Sequence, residues 1–109
     1  TRNTKVTIAW SDSATKEQKL EKIITQKWIA NYPMGIEAWT EYRRTGYPEL
    51  APVIDNLSNG VITNNARGLR RLRYSYKEHT LNKDNYAAAV SLLGGKDDES
   101  VDLFWAKKN

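Results

Sequence analysis

LEKIITQKWIANYPMGIEAWTEYRRTGYPEL, residues 20–50, is the stretch whose reading decides the fold. Leu20, Ile23, Ile24 and Trp28 recur at helical spacing, with Tyr32 one turn further on, while Lys22, Thr25 and Gln26 fill the opposite side. That pattern predicts an amphipathic helix with one buried stripe. Lys27 falls within the stripe by angle, so its stem is expected along apolar surface with its head in water. Upstream, Thr15-Lys16-Glu17-Gln18 reads as a capping box, in which the Thr15 hydroxyl accepts from the Gln18 backbone and the Gln18 amide reaches back. The helix should end near Asn31, because Tyr32 precedes Pro33 and is pushed out of the helical region.

Past the Pro33-Met34-Gly35 break, Ile36, Trp39 and Tyr42 or Arg43 share one side of a second helix. Gly46 stops it and Pro48 prevents its resumption. Two helices joined by so short a loop should pack antiparallel as a hairpin. The second is crowded with charge, since Glu37, Glu41, Arg43 and Arg44 stand beside Trp39 and Tyr42. Glu41 can pair with Arg44 at a three-residue spacing, and an arginine plane can stack on an aromatic ring.

Working outward, Thr4 to Trp10 alternates Val6, Ile8 and Trp10 against Lys5, Thr7 and Ala9. It reads as a short strand or as an extended segment laid on a neighbouring scaffold. Glu49 to Asn65 is rich in Asn, Ser and Gly and is expected to be loop, with a brief strand at Val61 and Ile62. In Arg67 to Tyr76, Leu72, Tyr74 and Tyr76 face one way and Arg71, Arg73 and Ser75 the other, which predicts a half-buried extended segment with the tyrosines on its apolar side. Tyr86, Ala89, Val90 and Leu93 fit the template of a third helix, capped by Asn82 or Asp84 and stopped by Gly94-Gly95. Ala87 to Ala89 suggest close helix packing. Lys96 to Asp102 is acidic and expected to be exposed, and Val101, Leu103, Phe104 and Trp105 form an apolar terminal anchor. The Asn56-Leu57-Ser58 sequon is discounted as a chance match.

At 109 residues the chain is one domain or a piece of one, and a chain of that size buries roughly two-thirds of its unfolded surface. It has no cysteine, which excludes disulfides and thiolate metal sites. The net charge of +4 is a mild basic excess, for which a nucleic-acid partner is one reading. No signal peptide is visible and no apolar run approaches the length of a membrane span.

Gln26-Lys27-Trp28, Gly35-Ile36-Glu37-Ala38-Trp39 and Arg43-Arg44-Thr45-Gly46-Tyr47-Pro48 together carry a resemblance. They resemble the C-terminal part of SusD/RagB-type proteins, and the likeness runs from about Val6 to Trp105. Arg70-Arg71-Leu72-Arg73-Tyr74 is similar to a family Arg-Arg-x-x-Tyr stretch, with Ser75 where proline is usual. Glu78 and Asn82 match a Glu-x-x-x-Asn segment. Phe104 stands where the first of two tryptophans is common, and Ala106 where an acidic residue is. The resemblance implies a mostly α fold: a helical hairpin plus a third helix with long irregular connections, the C-terminal piece (residues 1–109) of a SusD-like, tetratricopeptide-scaffold fold. It implies a non-catalytic part of a surface-exposed outer-membrane lipoprotein, lipid-anchored through an N-terminal cysteine outside this chain. Such proteins capture glycans or other nutrients beside a SusC-like TonB-dependent transporter. No cofactor is implied, and no ligand-binding residue is carried over, since the family's groove is expected largely outside this part.

Glu37 and Glu41 share a helix face, whereas a glycosidase needs carboxylates on opposite sides of a sugar; adjacent arginines would also hold both ionised. His79, the sole histidine, completes no triad or metal set and reads as a surface or satisfied structural residue. Asp97, Asp98 and Asp102 lack the spacing of a calcium loop and read as a solvated acidic turn. Arg67, Arg70, Arg71 and Arg73, with Tyr74 and Tyr76, are the case for a small basic nucleic-acid-binding module, the alternative function; the structural reading sets these arginines on carboxylates or carbonyls of the surrounding scaffold. Trp28, Trp39 and Trp105 are expected in the core, and Trp10, Tyr32 and Tyr47 are freer to be exposed.

Overall fold

The computed structural model describes residues 6–106. They form four helices and, among the described residues, no strand: α1 (Lys16–Ala30), α2 (Gly35–Thr45), α3 (Tyr76–Leu81) and α4 (Lys83–Leu92). The chain folds as two compact units that divide between Leu50 and Ala51. No described helix is long and apolar enough to cross a membrane.

The first unit is the helical hairpin. Thr15 caps α1 through the expected box: Gln18 N donates to Thr15 Oγ1 at 3.2 Å and Thr15 N donates to Gln18 Oε1 at 2.9 Å. Asn31 ends α1, as the following proline requires. Gly46 ends α2 at φ 79°, a left-handed conformation that glycine adopts without Cβ strain, and its N–H donates to the Tyr42 carbonyl at 2.8 Å. The helices run antiparallel. Tyr47, just past the end of α2, donates its hydroxyl to Glu17 at the start of α1 (2.9 Å), and Lys27 near the end of α1 reaches Glu37 in the first turn of α2 (3.5 Å).

The expected buried stripe of α1 is not buried along its length. Ile24 is buried, whereas Ile23 and Tyr32 are exposed and Trp28 is 38 % exposed. The contacts named between the two helices are polar, and an apolar face needs a further layer to cover it. Residues 6–10 form no strand; Thr4 and Lys5 lie outside the described residues. Lys22 Nζ instead holds this segment, donating to Thr7 Oγ1 at 3.1 Å and to the Ala9 carbonyl.

The second unit opens with a side-chain-tied loop. Asn56 Nδ2 donates to the Ile62 carbonyl (2.6 Å) and to Asn65 Oδ1 (2.7 Å), Ile62 N donates to Ser58 Oγ (3.0 Å), and Val53 N donates to the Asn65 carbonyl (3.0 Å). With the backbone groups of Ile62 held this way, the brief strand expected at Val61 and Ile62 does not form. Residues 68–75 are neither helix nor strand and lead into α3, a helix the periodicity did not announce. Ser75 caps it, accepting from Lys77 N at 3.3 Å. Asn82 is at once the end of α3 and the start of α4. Its amide donates to Glu78 Oε2 (2.9 Å), and its side-chain oxygen accepts from Asn85 (2.7 Å). This is what a Glu-x-x-x-Asn spacing accomplishes here. On α4 the half-buried residues are Tyr86, Ala89 and Val90, followed by Leu93 at its end, which is the stripe that the spacing predicts; Ala87 and Ala88 are exposed.

Candidate functional site

Two sets of side chains invite a functional reading: the cation-rich segment at residues 67–74 with the carboxylates of residues 97–102, and the aromatic surface of the hairpin.

In the first set two of the four arginines are inside. Arg70 is 2 % exposed and Arg71 is buried, while Leu72 and Tyr76 stand in solvent and Tyr74 is partly exposed. The expected alternation does not appear in burial: the adjacent Arg70 and Arg71 pack inward, while residues 72–76, Arg73 included, are exposed. Arg70 Nε donates to Asp102 Oδ1 at 2.6 Å, and its Nη2 donates to the Ala106 carbonyl at 3.1 Å. Arg67 Nη2 takes the other oxygen of Asp102 at 2.5 Å. Arg71 Nη1 donates to Asp97 Oδ1, and Arg73 Nη2 to Glu99 Oε2 at 2.7 Å. A backbone bond from Arg70 N to the Glu99 carbonyl (2.8 Å) fixes the register.

The expected solvated acidic turn is therefore a buried clasp. Burial pushes the Asp97 carboxyl up, but the Arg71 guanidinium, the Tyr74 N–H and the Tyr86 hydroxyl outweigh it and hold the group below the usual carboxylate range. Asp102 behaves alike: burial raises it, and Arg67 with Arg70 bring it down further. Asp98 is lowered chiefly by the Ser100 hydroxyl, at 2.6 Å. Among the described residues no cluster of His, Cys, Asp and Glu is arranged to hold a metal ion. His79 lies flat on Tyr86, with ring centroids 4.1 Å apart, and its Nε2 stands 3.5 Å from Asp97 Oδ2. It belongs to the packing around the clasp.

On the hairpin, Glu41 is buried between Lys27 (2.9 Å) and Arg44 (2.5 Å). Burial raises its pKa, yet the bonds from Arg44 and Lys27 prevail and leave it lowered. A general acid needs the opposite shift. Arg43 is buried over the Trp39 ring, with its guanidinium carbon 3.5 Å from the centroid, so the arginine–aromatic stack suggested by the sequence is present.

The tryptophans expected in the core are not fully buried: Trp39 and Trp105 are half-buried, and Trp28 is more open still. Trp28 forms part of an apolar hollow of about 470 Å³ at the turn of the hairpin, with Ile29, Tyr32, Pro33, Met34 and Ala38. Tyr32, expected to be free, is 88 % exposed. Trp10 is exposed too, with its indole N–H on Asp12 (3.0 Å) and Lys19 Nζ 5.8 Å from its ring centroid. The terminal anchor is partial, since Phe104 is exposed and Ala106 is the residue fully enclosed. Periodicity missed the hollow because Tyr32 to Met34 lie in a loop; the signal for it was an apolar run where loop residues are ordinarily polar.

These features define a helical chain whose charged groups mostly pair with one another while several aromatic groups, Trp10, Tyr32, Tyr76 and Phe104, remain open. The chain belongs to the SusD-like family, the SusD and RagB outer membrane lipoproteins, whose family model matches residues 1–106. Among solved structures, a SusD homologue from Bacteroides uniformis is 50% identical with a TM-score of 0.89; the match covers 94% of this chain and 22% of that one. A chitin-binding SusD homologue from Flavobacterium johnsoniae is 48% identical with a TM-score of 0.85, over 94% of this chain and 21% of its own. A SusD-like protein from Bacteroides thetaiotaomicron is 44% identical with a TM-score of 0.88, over 100% of this chain and 22% of its own. The chain thus spans about a fifth of the length of these solved relatives. No curated protein matches it.

Proposed function

We propose that residues 1–109 are the C-terminal part of a cell-surface lipoprotein that captures glycans for a TonB-dependent outer-membrane transporter. In this reading the segment is a non-catalytic scaffold. It closes the fold that presents the binding groove, and the rest of the protein covers the open faces of Trp28, Tyr32, Met34, Leu72 and Phe104. The observation that carries the proposal is the 48% identity to a chitin-binding relative over 94% of this chain. The exposed apolar residues support the scaffold role, because large apolar side chains left open in each unit are what a further part of the fold would cover. The lowered carboxyl of Glu41 speaks against acid catalysis on the hairpin.

The full-length protein should bind an oligosaccharide saturably, with chito-oligosaccharides first in a calorimetric screen across glycan classes, and should co-purify with its transporter. A screen with no binding to any glycan would sink the reading. The basic nucleic-acid module is not favoured, since Arg67, Arg70, Arg71 and Arg73 all sit on carboxylates.

A further inference from the structure

We propose that Asn59 is a site of spontaneous covalent modification, at which the side-chain amide is lost and an aspartate–isoaspartate mixture forms. Ser58 to Val61 make a tight turn closed by Val61 N donating to the Ser58 carbonyl at 3.1 Å, with Asn59 (φ 51°) and Gly60 (φ 84°) at its centre. Both central residues are exposed. This is the Asn-Gly pairing that a turn with two positive φ angles favours.

Three observations single out this asparagine. Its side chain makes no hydrogen bond among the described residues, whereas those of Asn56, Asn64, Asn65, Asn82 and Asn85 are all engaged and Asn31 Nδ2, also without a bond, is buried. The Gly60 N–H is likewise without a partner among the described residues. Finally, a Cβ built on Gly60 would meet nothing within 4 Å, so the approach to its nitrogen is open. Asn3, Asn31, Asn56, Asn64, Asn65, Asn82 and Asn85 each precede a residue that carries a Cβ, which obstructs the same approach.

The chemistry balances without any redox partner. The deprotonated Gly60 nitrogen attacks Asn59 Cγ, a new N–C bond closes a five-membered succinimide, and the side-chain nitrogen leaves as ammonia after taking a proton from water. Water then opens the ring. Addition at Cγ restores the ordinary backbone and gives aspartate. Addition at the main-chain carbonyl breaks the Asn59–Gly60 peptide bond and leaves the chain running through the side chain, as isoaspartate. Either product adds one negative charge. The isoaspartate also lengthens the backbone by one methylene, which breaks the 58–61 turn and the Ser58–Ile62 bond beside it.

The test is peptide mapping by mass spectrometry of the purified full-length protein, incubated at mildly alkaline pH. The expected result is conversion at Asn59 ahead of every other asparagine, with one ammonia released per site and a rate that rises with hydroxide. Asn59→Gln should abolish the conversion, because its longer side chain disfavours ring closure, and it leaves the overall fold intact for comparison. A protein in which Asn59 stays intact while the same peptide converts after denaturation would overturn the proposal. Conversion spread evenly over Asn64, Asn65 and Asn59 would overturn it as well.

Discussion

Arg70 and Asp102 lie 2.6 Å apart across 32 residues of chain, and the arginine that makes this bond is 2 % exposed. A guanidinium so enclosed is tolerable because its charge is paired and two of its nitrogens donate: Asp102 takes Nε and the Ala106 carbonyl takes Nη2. Removing one partner leaves a buried charge without its counterion. Asp102→Ala should therefore cost on the order of 3–5 kcal/mol in urea unfolding. Replacing both residues with apolar ones of similar volume should cost less than that single change, since an unpaired buried charge is worse than none.

Arg43 over Trp39 gives a second, independent test. Arg43→Ala loses both the cation–π contact and the packing of the stem, and should lower stability by about 1–2 kcal/mol. Arg43→Lys should recover only part of that loss, because an ammonium lacks the flat face that stacks on the indole.

Thr15 contributes through the backbone rather than through packing. Thr15→Ala removes the acceptor for Gln18 N and should destabilise α1 by about 1 kcal/mol. Thr15→Ser, which keeps the hydroxyl, should stay close to the parent in the same measurement.

The clasp makes the protein sensitive to acid. Asp97, Asp102 and Glu99 are all held below their ordinary values by arginines, outweighing burial at the two aspartates. Their contribution is complete above the unfolded carboxylate range, about pH 4, and is lost as pH falls through the lower folded values. A stability profile should decline below that point, and Asp97→Asn should be less stable at neutral pH with a flatter acid limb.

Tyr47 sets the alkaline limit. Burial, followed by its bond to Glu17, raises the phenol to about 12. A raised value means that the stabilisation is complete below the unfolded tyrosine pKa near 10 and is lost as pH climbs towards about 12. Tyr86 is also raised, by burial and then by Asp97; tyrosinate absorbance should nonetheless show a component titrating towards about 12 that Tyr47→Phe removes.

The hairpin was legible in the sequence because its determinants are local. Thr15 and Gln18 are three residues apart, and Gly46 adjoins the helix that it ends. The stripe of Tyr86, Ala89, Val90 and Leu93 was legible for the same reason. The clasp was not. Alternation in Arg67 to Tyr76 predicts two faces with the apolar one inside, but the structure buries the adjacent Arg70 and Arg71 and exposes residues 72–76. The decision rests with Asp97, Glu99 and Asp102, 26 to 35 residues away, which meet the arginine face. Similarly, α1 carries an apolar stripe by period, yet α2 meets it through ion pairs, so the spacing predicted a burial that the hairpin does not supply. The helix α3 escaped notice because its six residues are too few to show a period.

A unit built around Arg70 and Arg71 has a thermal character of its own. Opening it hydrates guanidinium and carboxylate groups as well as hydrocarbon. Polar hydration lowers heat capacity where apolar hydration raises it. The curve of stability against temperature for the clasp should therefore be shallow, with little loss on cooling and a melting transition spread over a wide interval.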